Sequence, residues 1–151
     1  ATWYFVSFGG DVYPVDASGA EPAFGAKWPL ASDAERAAKW LPGGLQPFAV
    51  HAPSGRLFAL MHKGLRDTHK EHGETVWVFD LATRKRAQTI ALREPATSIA
   101  LSSDAALLYA AFLGSPTLSV YDARGGKRLR GIDHAAAWPA LLQPLAAGAT
   151  P

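Results

Sequence analysis

Cysteine is absent from the sequence. That excludes disulfides and thiolate metal sites for this chain, and it says little about compartment. No apolar run approaches the roughly 18 residues of a membrane-crossing helix, and no basic-then-apolar signal opens the chain. An excess of one charge is lacking too. The 15 Lys and Arg against 13 Asp and Glu leave a net +2, a balance that requires no polyanionic partner. Neither a membrane nor a nucleic acid is therefore expected as a partner.

What is present is a chain of 151 residues, 48% of them hydrophobic, the size of one domain. Its organising stretch is 67–80. A polar, histidine-rich loop, Asp67 to Glu74, runs into Val76-Trp77-Val78-Phe79. These β-branched and aromatic residues pack well on a pleated surface. Asp80 closes the strand, because its side chain accepts from backbone N–H groups just ahead and favours a turn. Residues 86–92 read as the returning strand.

The same grammar recurs along the chain. Residues 3–8 and 11–16 are strands joined by Gly9-Gly10, and Asp16 leads the next turn. Pro14 inside the second strand argues for an edge or a bulge. Residues 20–24 read as a short return strand. Residues 45–51, 56–62, 75–80 and 86–92 form one unit. Residues 97–101, 106–112, 117–122 and 128–132 form another. In 56–62, Leu57, Ala59 and Met61 line one face and Phe58 and Leu60 the other, so this strand belongs to a sheet covered on both sides.

One segment breaks the pattern. Residues 29–40 read as a helix of about two turns, with Ser32 and Glu35 spaced as a capping box, and Leu41-Pro42-Gly43-Gly44 ends it. With that stretch set aside, four-stranded units repeat at about 40–45 residues, the signature of propeller blades. The expected fold is thus all-β, with antiparallel β-propeller blades and a short helical insertion. Its parts are a partial blade (1–25), the insertion (29–44), two blades (45–92 and 96–132) and a trailing strand (139–146) before an Ala/Gly/Pro tail expected to lack order. Closed propellers have about four to eight blades, and the sequence opens already in a strand. A fragment of a longer chain, or a chain completed by partner segments, is expected.

A family resemblance rests on an ordered set of motifs. These are Ala34-Glu35-Arg36-Ala37, Trp40-Leu41-Pro42-Gly43-Gly44-Leu45-Gln46, Leu60-Met61-His62, Thr68-His69-Lys70, Val76-Trp77-Val78-Phe79-Asp80 with Thr83-Arg84-Lys85-Arg86, Leu107-Leu108-Tyr109-Ala110, Thr117-Leu118 and Tyr121-Asp122. Together they resemble the C-terminal part of the heavy chain of the bacterial amine dehydrogenases, methylamine and aromatic amine dehydrogenase. The resemblance implies about three blades of a seven-bladed propeller. It implies a periplasmic heterotetramer in which a light chain carries tryptophan tryptophylquinone and the catalytic base. A small copper protein would accept the electrons. This chain would then hold no catalytic residue, cofactor or metal, and would act as scaffold. The other functional class that fits strand–Asp–turn units is a propeller binding module without an enzymatic partner.

Each candidate site has a plainer explanation. His62, His69 and His72 suggest a metal, but Lys63, Arg66 and Lys70 around them would oppose a cation. The basic bends 84–86 and 127–130 suggest phosphate contacts, yet charged outer strands also keep sheet edges apart. Asp16, Asp80 and Asp122 recur once per unit, as turn formers do. No serine has the flanks of a nucleophile elbow. The tryptophans are core or interface candidates. The loop remains as the possible partner interface, with Asp67, Thr68, His69, Lys70 and Glu74 the residues to test.

Overall fold

The computed structural model describes residues 2–45, 47–64, 72–112 and 114–133. They form three antiparallel sheets in chain order. In the first, β1 (Thr2–Val6) pairs with β2 (Asp11–Asp16), whose far side takes two short strands, β3 (Ala23–Phe24) and β4 (Trp28–Pro29). In the second, β5 (Trp40–Pro42) and β6 (Phe48–His51) share one side of β7 (Arg56–Lys63). Then follow β8 (Gly73–Asp80) and β9 (Lys85–Ala96). The third sheet is the plain meander β10 (Ser98–Leu101), β11 (Leu107–Ala111), β12 (Thr117–Asp122) and β13 (Arg128–Asp133). Counting β5 with β6 as one interrupted strand, the second sheet is also four strands deep. These are propeller blades, and the expected all-β class holds.

Blade stacking follows from the two-faced strands. Leu57, Ala59, Met61, Trp77 and Phe79 turn toward the first sheet and meet Val12, Trp28 and Leu30. Phe58, Leu60, Val76, Val78 and Ile90 turn the other way and meet Ile99, Leu108, Ala110 and Tyr121 of the third. Each large side chain taken out of water here is worth about 1.5–3 kcal/mol, so the blades adhere face to face. Among the described residues no sheet covers the outer face of the first blade, where Trp3, Phe5 and Phe24 are 61%, 54% and 77% exposed.

Aspartates close the turns at one end of the blades. The Ser18 N–H donates to Asp16 Oδ1 (2.9 Å), Thr83 N–H to Asp80 Oδ1 (2.7 Å), Ala106 N–H to Asp104 Oδ1 (3.0 Å) and Arg124 N–H to Asp122 Oδ1 (3.0 Å). Such donors favour the ionised carboxylate. The Thr83 backbone N–H holds Asp80 below its usual value, and the Ser102 hydroxyl does the same for Asp104.

Three expectations need correction. The helix α1 covers only Asp33–Ala37. Its capping box is real, with Ser32 and Glu35 exchanging both bonds, but Trp40–Pro42 is strand, paired with Met61–Lys63. The helical reading of 29–40 failed there because cross-strand pairing decides the conformation of Trp40. Where a strand was expected over 45–51, the described strand is Phe48–His51, and β9 runs to Ala96 rather than stopping at 92. Pro14 lies in an interior strand, and the bulge that it predicted is on its partner. Tyr13 and Pro14 face three residues, 25–27, between β3 and β4. The Pro14 carbonyl accepts from Gly25 on that side (2.9 Å), so the N–H that proline lacks would have pointed into the interruption. The trailing strand 139–146 lies outside the described residues.

Candidate functional site

Of the residues singled out as a partner interface, Glu74 is described, and Asp67, Thr68, His69 and Lys70 lie outside the described residues. Glu74 is the second residue of β8, exposed at the loop end of the blade. Its Oε1 is 3.8 Å from Nδ1 of His62 on β7, too far for a hydrogen bond. His62 is largely covered, and among the described residues neither ring nitrogen has a hydrogen-bond partner.

Two glycines allow this close-packed rim. A Cβ on Gly73 would overlap the Leu60 side chain, so β8 can lie against β7 here only without one. Gly44 has φ +91°, and a Cβ there would overlap the Thr97 carbonyl. That carbonyl accepts from the Leu45 N–H at 2.7 Å. The interruption between β5 and β6 is thereby fastened to the entry of the third blade.

Beside Glu74 a shallow cleft of about 300 Å³ is lined by His72, Glu94, Pro95, Phe112, Gly114 and Ser115. Sequence reasoning missed Glu94 and Pro95. In β9, four residues bulge out between Ala91 and Ala96, which pair with Thr75 and Gly73. The Arg93 N–H in that bulge donates to the Tyr121 hydroxyl of the third blade (2.9 Å). The Glu-Pro step was the available signal, since proline rarely continues a regular ladder.

The basic bend 84–86 is occupied internally. The Arg86 guanidinium lies 4.0 Å from the Trp77 ring centroid and its Nη2 is 2.6 Å from Glu35 Oε1. Trp77 in turn packs at a tilt against Trp40 (centroids 5.1 Å, 47° between planes), and Lys63 lies over Trp40 at 5.8 Å. Arg84 Nη1 donates to the Ala26 carbonyl (3.3 Å). These groups fasten α1 and the first blade to the second. Trp28 and Trp77 are buried as expected for core, whereas Trp3 is exposed. Among the described residues no group of three or more His, Asp or Glu is arranged to hold a metal ion.

Architecture and rim together define a run of β-propeller blades with a charged, histidine-containing loop end. A solved β-propeller domain, that of Cps50 (Swd1) from Myceliophteria thermophila, shares the fold at TM-score 0.52 and 11% identity, over 89% of this chain and 56% of that one. The family model for the methylamine dehydrogenase heavy chain matches residues 2–144. The chain belongs to that family. The methylamine dehydrogenase heavy chain of Paracoccus versutus is 34% identical over 90% of this chain and 32% of its own length. That of Methylophilus methylotrophus is 37% identical over 74% of this chain and 28% of its own length. The chain thus spans about a third of the length of these relatives.

Proposed function

We propose that the chain is a segment of the heavy subunit of a periplasmic amine dehydrogenase, one that oxidatively deaminates primary amines. Its role is to scaffold a light chain that carries tryptophan tryptophylquinone, with electrons leaving to a small copper protein. The observation that carries this reading is the family match over residues 2–144. The quinone and its redox chemistry belong to the light chain in this reading, and Trp77, 3% exposed and packed against Trp40, Phe79 and Arg86, is a core residue.

The loop end is the contact surface in this reading. Glu74 and the cleft beside it present charge on a rigid sheet end, where loops on a fixed scaffold gather binding contacts. The test is co-purification of the light chain with the full-length heavy subunit. Thr68→Ala with His69→Ala, and separately Glu74→Arg, should reduce the light chain recovered more than Arg84→Ala does. Quinone absorbance should travel with the small chain. Equal losses for all variants would refute the interface, and absence of any quinone-bearing partner would refute the function and leave a propeller binding module.

A further inference from the structure

A cavity of about 370 Å³ opens between the second and third blades, at the end opposite the Glu74 rim. The second blade contributes Ser54, Arg56 and Phe58; the third contributes Asp104, Ala105, Ala123 and Arg124. Its floor is apolar, since Phe58, Ala105 and Ala123 are buried. Its walls carry two guanidiniums and one carboxylate.

The cavity's walls are fixed in three ways. First, His51 bridges the blades, with Nε2 3.1 Å from the Ser103 carbonyl and Nδ1 2.8 Å from Ser54 Oγ. A carbonyl only accepts, so Nε2 carries a proton. In the neutral ring Nδ1 then accepts from the Ser54 hydroxyl. Second, the Ala123 N–H donates to the Ala106 carbonyl (2.9 Å), joining the two turns of the third blade. Third, Ala105 has φ +51°, a conformation uncommon for residues other than glycine. Strain of this kind gathers where a surrounding structure holds a site in shape.

The lining holds two cations against one carboxylate, with Asp80 close enough to Arg56, and Asp104 to Arg124, to feel their charge. Asp104 already accepts from the Ser102 hydroxyl (2.6 Å) and the Ala106 N–H (3.0 Å). Among the described residues neither Arg56 nor Arg124 has an ion pair within 4 Å. A guanidinium presents a planar fork of donors that matches the oxygens of a carboxylate or phosphate. Two such forks above an apolar floor define a recognisable chemistry. We propose that this inter-blade cavity binds a small oxyanion, a carboxylate or a phosphate ester. Arg56 and Arg124 hold its charged head, Ser54 stands beside it, and its apolar body rests on Phe58.

The inference is independent of light-chain assembly and is tested on the full-length heavy subunit. Butyrate and inorganic phosphate are titrated separately at constant ionic strength against chloride, by calorimetry and thermal midpoint. Saturable binding of at least one is expected, and the stronger of the two identifies the head group. Arg56→Gln and Arg124→Gln should each weaken it about tenfold or more. Asp104→Asn keeps both turn hydrogen bonds and should tighten binding several-fold, about what removal of one nearby like charge gives. Arg130→Gln, on exposed β13 outside the cavity, should leave it unchanged. If Arg56→Gln fails to fold, Arg124→Lys serves, and loss of the fork with retained charge should weaken binding to an intermediate degree. No saturable binding of either anion, or equal effects of Arg124→Gln and Arg130→Gln, would overturn the proposal.

Discussion

Gly73→Ala is the sharpest test of how the loop end is built. Gly73 begins β8, and the position its Cβ would take is already filled by the Cγ and Cδ atoms of Leu60. Leu60 is fully buried in the core between the second and third blades, so it cannot swing into solvent. Overpacking of this kind costs about 1–3 kcal/mol. Leu60→Ala alone should cost about 2–5 kcal/mol, from lost burial and the cavity left behind. The double variant is the informative one. Removing Leu60 clears the atoms that block the new methyl, and the methyl partly fills the space. The two changes should therefore not add, and a favourable coupling of about 1–3 kcal/mol is expected for residues in direct contact. The assay is a double-mutant cycle by urea unfolding of the full-length subunit, followed by tryptophan fluorescence. Additive losses, with no coupling, would show that Gly73 is not fixed by Leu60 and would refute the packing argument.

Other expectations follow from the same contacts. Lys27 and then Arg36 hold the Asp11 carboxylate (2.8 and 2.6 Å) and lower its pKa. Its stabilisation is therefore complete above the unfolded value of about 4 and is lost as pH falls through the lower folded one. Thermal midpoints of Asp11→Asn and the parent should differ at pH 6 and converge in strong acid. Ser32→Ala removes the cap of α1 and should cost about 1 kcal/mol, read by chemical denaturation. Arg86→Lys keeps charge but gives up the guanidinium that lies over the Trp77 ring and reaches Glu35. It should lower stability by about 1 kcal/mol, whereas Arg130→Lys on exposed β13 should not.

The parts of this fold that were legible in the sequence are those determined locally or by strict alternation. The limits of β2 and β12 match the runs 11–16 and 117–122, because an aspartate ends each strand and bonds its own turn. The two-faced burial of β7 was visible in its unbroken apolar run. The Ser32–Glu35 box was visible because both partners lie within one turn. What failed was set by distant partners. Trp40 is strand because it faces Lys63, and β9 reaches Ala96 because Gly73 pairs with it. At the candidate site, Glu74 was legible as part of a polar loop. The cleft residues Glu94 and Pro95 were not, since only the bulge of β9 brings them beside His72.

The order of strand pairing has a consequence for synthesis. Each strand pairs with a close sequence neighbour: β7 with β8, β8 with β9, then β10 through β13 in turn. A chain emerging from the ribosome can thus complete one hairpin after another without waiting for distant sequence, which favours fast folding. Each finished blade would nevertheless show a bare apolar face until the next arrives. Phe58, Leu60, Val76 and Val78 would be uncovered until residues 98–122 have been made. Translation pace over that interval then governs how long the nascent subunit is exposed to aggregation.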